Sequence, residues 1–405
     1  MIDPHIFESP LSLILTAAVL SCIIVFRNSR PAKLLTSRAF SVTLIVLAAV
    51  STAVEGTWGL GIPRHWAFLA TILLLMLAVG FTAVTDFKNK SFRALLSHLG
   101  LFLVLFGGFF GAADTTNAQL RLFPDCEEHM AYSAEGDVVL LPFGISLKEF
   151  SIEYYEDGKS PKQYTSRLSI DGRDFETGVN HPCRYKGYSI YQSGYDTEYG
   201  RYSILELVRD PWLPVSIIGI LLLGSAALMS LKSSWDSWKA LTAALALAVV
   251  FAIISVARIS FGTLMPALRS LWFIPHLIIY MLAYAVLALS VITGIISLFS
   301  GKIPSALPFR LLSTSSSLLL IGMICGAVWA KQAWGDYWTW DAKECWAAAT
   351  WMLTLAGTHV SASRKRISAL MAALAFIAMQ MTWYGVNYLP SSGQSLHTYN
   401  QQTTI

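Results

Sequence analysis

Apolar residues in this chain are gathered into long runs separated by short polar loops. Ten runs stand out, near 9–26, 40–60, 66–85, 95–113, 211–230, 240–257, 273–299, 311–330, 345–362 and 368–388. A helix needs roughly 20 residues to cross the hydrocarbon of a bilayer, so each run predicts a transmembrane helix. The one long polar interruption, about 114–210, has a different period. Ile145, Leu147, Phe150, Ile152 and Tyr154 stand in near-alternation with Ser, Lys and Glu, and Asp157-Gly158 and Asp171-Gly172 follow as turns. The expected fold is an α-helical integral membrane protein of about ten transmembrane helices with one small β-rich extracytoplasmic domain. A sandwich core with exposed edges is the simplest form for that domain. Its dense tyrosines (Tyr185, Tyr188, Tyr191, Tyr195 and Tyr199) would also suit a protein-binding surface.

Composition agrees with a membrane protein. The chain is 55% hydrophobic and 13% charged, about half the charged share of a soluble domain, roughly 25%. The first run does not read as a secretory signal, because Asp3 and Glu8 precede it and basic residues follow it. The net charge of +4 does not point to nucleic acid, since the basic residues sit at helix ends. Their distribution orients the chain. Alternate loops carry Arg27, Arg30, Lys33 and Arg38; Lys88, Lys90 and Arg93; Lys232 and Lys239; Lys302 and Arg310; and Arg364, Lys365 and Arg366. The short loops on the other side carry only Arg64, Arg258, Arg269, Lys331 and Lys343. Lys and Arg accumulate on the cytoplasmic side, which places both termini and 114–210 outside. Runs two and three are so close that a re-entrant hairpin is a second option there. The five cysteines include no CxxC pair, which excludes a thioredoxin-type motif. Cys126 and Cys183 are the two that an oxidising compartment would allow to pair.

The histidines separate by depth. His276 and His397 fall at the outer face, in Leu271-Trp272-Phe273-Ile274-Pro275-His276 and Leu396-His397-Thr398-Tyr399, whereas His98 and His359 fall at matching depth in the inner half of the membrane. A lone membrane histidine is most simply a hydrogen-bonded packing residue. Two pairs at matched depths point instead to haem, whose iron takes two imidazoles from different helices. Between the outer histidines runs Trp334-Gly335-Asp336-Tyr337-Trp338-Thr339-Trp340-Asp341-Ala342-Lys343-Glu344-Cys345-Trp346, with Trp351 beyond. An interfacial aromatic belt explains one or two tryptophans. It does not explain Asp341, Lys343 and Glu344 among them. A flat apolar surface with a few fixed charges suits a planar macrocycle with carboxylate edges.

That stretch resembles the WWD signature of the haem-handling proteins of cytochrome c biogenesis, which include CcmF, CcmC and CcsA. Trp383-Tyr384-Gly385-Val386-Asn387-Tyr388 and Leu396-His397-Thr398-Tyr399 resemble the C-terminal end of CcsA, and Ser97-His98-Leu99-Gly100 with the following run and β-rich segment resembles ResB, also called CcsB. The whole chain resembles a CcsB–CcsA fusion, the System II cytochrome c synthase. The resemblance implies ResB-like transmembrane helices at 1–113, the β-rich domain at 114–210, a closing transmembrane helix at 211–238, and a CcsA-like part at 239–405 with its WWD segment at 334–351. It implies His276 and His397 as axial ligands of an outer haem and His98 and His359 as ligands of a haem within the bilayer. Trp334, Gly335, Trp338, Trp340, Asp341, Lys343, Glu344 and Trp346 would contact haem. Of these, Trp334, Trp338, Trp340 and Asp341 would stand with His276 and His397 at the place of chemistry. Ala342 departs from the family, many members of which have Pro there, and the outer domain is shorter than in large fusions. His5, His65, His129 and His181 match no family ligand and read as loop or surface residues.

The implied activity is that of a holocytochrome c synthase, or haem-lyase, in a bacterial inner membrane. It would bring haem b to the outer face and attach it through thioethers to the CxxCH motif of apocytochrome c. A thioredoxin-like thiol reductant is a further implied partner. A haem exporter without attachment activity and a bis-histidine membrane electron carrier are the competing readings.

Overall fold

A computed structural model describes residues 8–233, 246, 264–300, 304, 306–360 and 364–391. Most of the run at 240–257, together with His5 and His397, lies outside the described residues.

The first part comprises α1 (Leu11–Phe26), the short α2 (Arg30–Leu35), α3 (Arg38–Trp58), α4 (Trp66–Lys88) and α5 (Phe92–Asp114). Their boundaries are written locally. Ser29 and Ser37 accept backbone hydrogen bonds as N-caps of α2 and α3, and Gly59 ends α3 in the left-handed region at φ 62°. After the β-strands come α6 (Leu213–Ser233), α7 (Phe273–Phe299), α8 (Ala306–Trp334), α9 (Ala342–His359) and α10 (Lys365–Trp383).

Seven of the described helices are long and apolar enough to cross a membrane: α3 to α8 and α10. The chain is an integral membrane protein. With 21 and 23 residues, α3 and α4 each reach full crossing length. Two expected spans fall short of that criterion. α1 has 16 residues, and the 18-residue α9 carries Lys343 and Glu344 in its first turn.

Eight strands lie between α5 and α6: β1 (Thr116–Leu122), β2 (Glu127–Tyr132), β3 (Val138–Tyr154), β4 (Pro161–Ile170), β5 (Arg173–Gly178), β6 (Cys183–Tyr185), β7 (Tyr188–Tyr195) and β8 (Ser203–Arg209). They form one antiparallel sheet in the order β5-β4-β3-β2-β1-β8-β7-β6. The expected two-sheet sandwich is therefore replaced by a single sheet that curls nearly closed. Thr177 of β5 donates to the Ile190 carbonyl of β7, and Gly178 bridges to His181. One face buries Leu120, Ile145, Leu168, Ile190, Leu205 and Leu207 in a common core. The imperfect alternation in β3 has a cause, a register shift between Leu147 and Glu149. At the β4–β5 hairpin, Asp171 and Gly172 both take positive φ, 47° and 75°, as a tight two-residue turn requires. All five cysteines are free, so Cys126 and Cys183 are not joined.

The sheet is rooted in the helices. α5 runs into β1 and β8 runs into α6, with Thr116 opposite Arg209. The two helices continue this pairing through small residues. A Cβ on Gly100 would stand 2.8 Å from the Leu223 nitrogen, and one on Gly219 would stand 2.9 Å from the Gly100 carbonyl. Close backbone approach of this kind is how helices associate where lipid removes the hydrophobic drive between them. Asp114, the last residue of α5, binds Trp212 Nε1 at 2.7 Å and Ser12 Oγ at 2.9 Å at the root of the sheet.

Candidate functional site

His276 lies within the first turn of α7. Its Nδ1 is 2.8 Å from the Gly322 carbonyl of α8. A carbonyl only accepts, so Nδ1 carries the proton and Nε2 holds the lone pair. Gly326 makes room for the ring, since a Cβ there would stand 2.7 Å from the imidazole. The ring lies 4.8 Å from Tyr280 and 6.0 Å from Trp329, and Trp329 lies 5.2 Å from Trp334, centroid to centroid. An aromatic path thus leads from His276 to the tryptophan-rich stretch. Trp329 is 2% exposed, and its Nε1 donates to the Ala267 carbonyl. Nothing in the local sequence pattern singles it out.

The stretch 335–341 is the loop between α8 and α9. Gly335 opens it at φ 95°, and Trp340 closes it at φ 62°, an uncommon conformation for a bulky residue. Two of its charges have local duties. The Asp341 carboxylate accepts from the Glu344 nitrogen at 2.8 Å and caps α9, while Glu344 reaches back to accept from the Thr339 nitrogen at 2.7 Å. The Asp341 bond is an ordinary N-cap, and the Glu344 bond ties the first turn of α9 back to the loop two residues before that cap. Ala342 takes the N1 position, where proline is tolerated because that backbone N–H has no helical partner. The tryptophans divide. Trp340 packs edge-on against Phe68 of α4 at 5.6 Å and against Trp338 at 5.9 Å. Trp346 faces α3, where a Cβ on Gly56 would meet it at 3.2 Å. Among the described residues, Nε1 of Trp338 and Nε1 of Trp346 are buried without a hydrogen-bond partner. Buried polar groups are nearly always satisfied, so two orphaned donors in one segment call for an acceptor.

The sheet seats this loop. Asn117 of β1 donates to Asp336, and a Cβ on Gly335 would stand 3.0 Å from Val208 and 3.3 Å from Tyr191. Burial raises the Asp336 carboxyl above the usual carboxylate range, with Lys331 and Asn117 pulling it back. Burial also raises Glu206, and the charge of Asp336 adds to that rise. Tyr191 is pushed up to about 12, again chiefly by burial.

At the opposite end of the helices, His98 of α5 and His359 of α9 meet. Their ring centroids are 6.5 Å apart at an interplanar angle of 66°. His98 Nδ1 is 2.6 Å from Asp86 Oδ2, and His359 Nδ1 is 2.9 Å from the Leu355 carbonyl. A carboxylate and a carbonyl only accept, so both rings keep Nε2 as a lone-pair donor. Two metal–nitrogen bonds of about 2 Å, with half a ring on either side, span about 6 Å, close to this separation. Among the described residues no three His, Cys, Asp or Glu form a metal cluster. Two imidazoles from different helices, each with Nε2 available, are a donor set that would suit haem iron. Asp86 was not among the residues singled out from the sequence. Its signal was an acid near a membrane helix end, twelve positions before a membrane histidine. His397 lies outside the described residues, as therefore does any pairing with His276.

Residues 213–393 match the family described as cytochrome C assembly protein, and residues 90–211 match the ResB-like family. The chain is similar to proteins named cytochrome c biogenesis protein CcsA. The Chlamydomonas reinhardtii protein is 32% identical over 153 residues, covering 34% of this chain and 42% of that protein. The Guillardia theta protein is 33% identical over 172 residues, covering 34% and 56%. The Gloeobacter violaceus protein is 42% identical over 96 residues, covering 23% and 28%. The chain thus spans from about a quarter to just over half the length of these relatives. Residues 90–393 join a ResB-like segment to a cytochrome C assembly protein segment in one membrane-embedded polypeptide, the composition of a ResB–CcsA fusion.

Proposed function

We propose that this chain acts in cytochrome c biogenesis as a holocytochrome c synthase, moving haem b to the outer face of the membrane and joining it to apocytochrome c. The observation that carries the haem-binding part of this reading is the His98–His359 pair. Each ring has its Nδ1 engaged and its Nε2 free for iron, and each comes from a different helix. His98 lies in the ResB-like segment and His359 in the cytochrome C assembly segment, so this site needs both.

In this reading His276 is one ligand at the outer face, on the side that bears the sheet, with His397 as the other. Trp334, Gly335, Trp338, Trp340 and Lys343 would border the substrate. The unpartnered Nε1–H groups of Trp338 and Trp346 suit its carboxylate edges. Asp341 and Glu344 would act on the site by holding the start of α9 in place. In the reaction each substrate thiol adds across one vinyl group. Sulfur bonds one vinyl carbon and hydrogen ends on the other, so no electrons are lost or gained. The protein contributes position, which is worth much when two partners must meet in one orientation. The apocytochrome, a thiol reductant, the outward-facing termini and the bacterial inner membrane belong to the same proposal.

The test is the absorption spectrum and haem content of the purified chain and of its His98→Gly, His359→Gly and His276→Gly variants. Loss of low-spin haem that added imidazole restores is expected for each. Co-expression with an apocytochrome should yield thioether-linked haem. Bound haem without any thioether product would favour an exporter or a bis-histidine electron carrier, both of which the His98–His359 pair also suits.

A further inference from the structure

The two histidines that meet at 6.5 Å are not held alike. His359 donates its Nδ1–H to the Leu355 carbonyl, one turn back in its own helix. His98 donates to a carboxylate on another helix, at 2.6 Å. The chain builds this contact deliberately. Asp86 is in the last turn of α4 and His98 is the seventh residue of α5. The turn between them is closed by Lys90 at φ 55° and by the Ser91 nitrogen donating to the Asp86 carbonyl at 3.0 Å. The Asp86 and His98 side chains are only 14% and 25% exposed. A carboxylate this far out of water is costly without a partner, and among the described residues its side-chain partner is His98.

We infer that Asp86 is a positioning residue for the axial ligand His98: its carboxylate holds the ring in the Nδ1–H form and makes Nε2 the stronger donor of the pair. The inference rests on the proposed ligation by His98 and His359. It goes further by giving the two ligands unequal strengths, set by a residue that does not touch iron. A carboxylate behind a ligating imidazole fixes its tautomer and raises its basicity, and hydrogen bonding to an axial ligand is a lever on the iron's potential. A more basic ligand favours ferric over ferrous iron. Asp86→Asn keeps an acceptor near Nδ1 but removes the negative charge, so the haem should become easier to reduce and easier to lose.

The experiment uses the full chain in the His276→Gly background, so that the remaining haem reports on the His98–His359 site. The midpoint potential and the rate of haem transfer to apomyoglobin are measured for Asp86, Asp86→Asn and Asp86→Glu. The expected result is a more positive potential in Asp86→Asn and a transfer rate higher by about 10–100-fold, the usual cost of losing such a partner. Asp86→Glu should return both values toward the parent. Unchanged potential and transfer in Asp86→Asn would overturn the inference. If Asp86→Asn holds no haem, Asp86→Glu decides: recovery of a low-spin spectrum supports a positioning role, and an empty protein with a lowered unfolding temperature assigns Asp86 to folding instead. Failure of the ligation reading looks different, because His98→Gly would then keep its low-spin haem.

Discussion

Asp341 and Trp338 stand three positions apart and do different work. Asp341 caps α9 through the Glu344 nitrogen, so its removal is a folding event. Asp341→Ala should cost about 1 kcal/mol, the usual value of an N-cap, seen as a lower unfolding temperature in detergent. Trp338→Phe keeps an aromatic ring and removes only an N–H that lacks a partner among the described residues. It should leave the unfolding temperature of haem-free protein unchanged while lowering the amount of haem that co-purifies. The two variants separate the scaffold of the WWD loop from its binding surface. Equal losses of stability in both would place Trp338 in the scaffold as well.

Among the elements, α3 and α9 show most clearly how this bundle is held. α3 lies before both matched segments, yet Gly56 sets its backbone against the helix that begins at the WWD loop. A Cβ on Gly56 would stand 2.6 Å from the Cys345 Cβ, and Ser391 also donates to the Gly56 carbonyl at 2.6 Å. Gly108 of α5 offers the contrast, with nothing within 4 Å of its absent Cβ. Gly56→Ala should therefore push α9 away and lower the unfolding temperature. Gly108→Ala should be neutral or stabilising by up to about 1 kcal/mol, because alanine is the better helix former. Thermal unfolding of the two variants side by side checks this. A Gly56→Ala protein as stable as the parent would mean that the α3–α9 contact can open without cost.

For the whole molecule, the question is how the sheet and the membrane helices act together. The joint is the meeting of Asn117, Tyr191 and Glu206 with Gly335 and Asp336. Both carboxyls are raised by burial, so the folded joint binds its protons more tightly than the open one. Its stability is full below the usual carboxylate range and is lost as pH rises through the raised values. Hydrogen exchange at residues 116–122 and 335–337 should therefore quicken as pH rises across that window, after correction for the intrinsic rate. The replacements Asp336→Asn and Glu206→Gln should flatten the dependence. A joint that tightens with rising pH would mean that the Lys331 attraction dominates over burial.

Local order was legible in the chain because it depends on neighbours in sequence. Run length marked the spanning helices, two-residue periodicity marked the strands, and Asp171-Gly172 marked a turn that needs two positive φ values. The depth of His98 and of His359 could be read in the same way, since depth in a membrane helix is a count of residues. Partnership could not. A run of apolar residues says that a helix faces lipid or protein, and between lipid-embedded helices no hydrophobic difference selects the neighbour. Only the folded chain decided that α3 lies on α9, that one sheet curls upon itself, and that Asp341 holds the Glu344 nitrogen while Glu344 holds that of Thr339. It also decided that Asp86 stands behind His98, because that contact depends on how one turn closes and where two helix faces point.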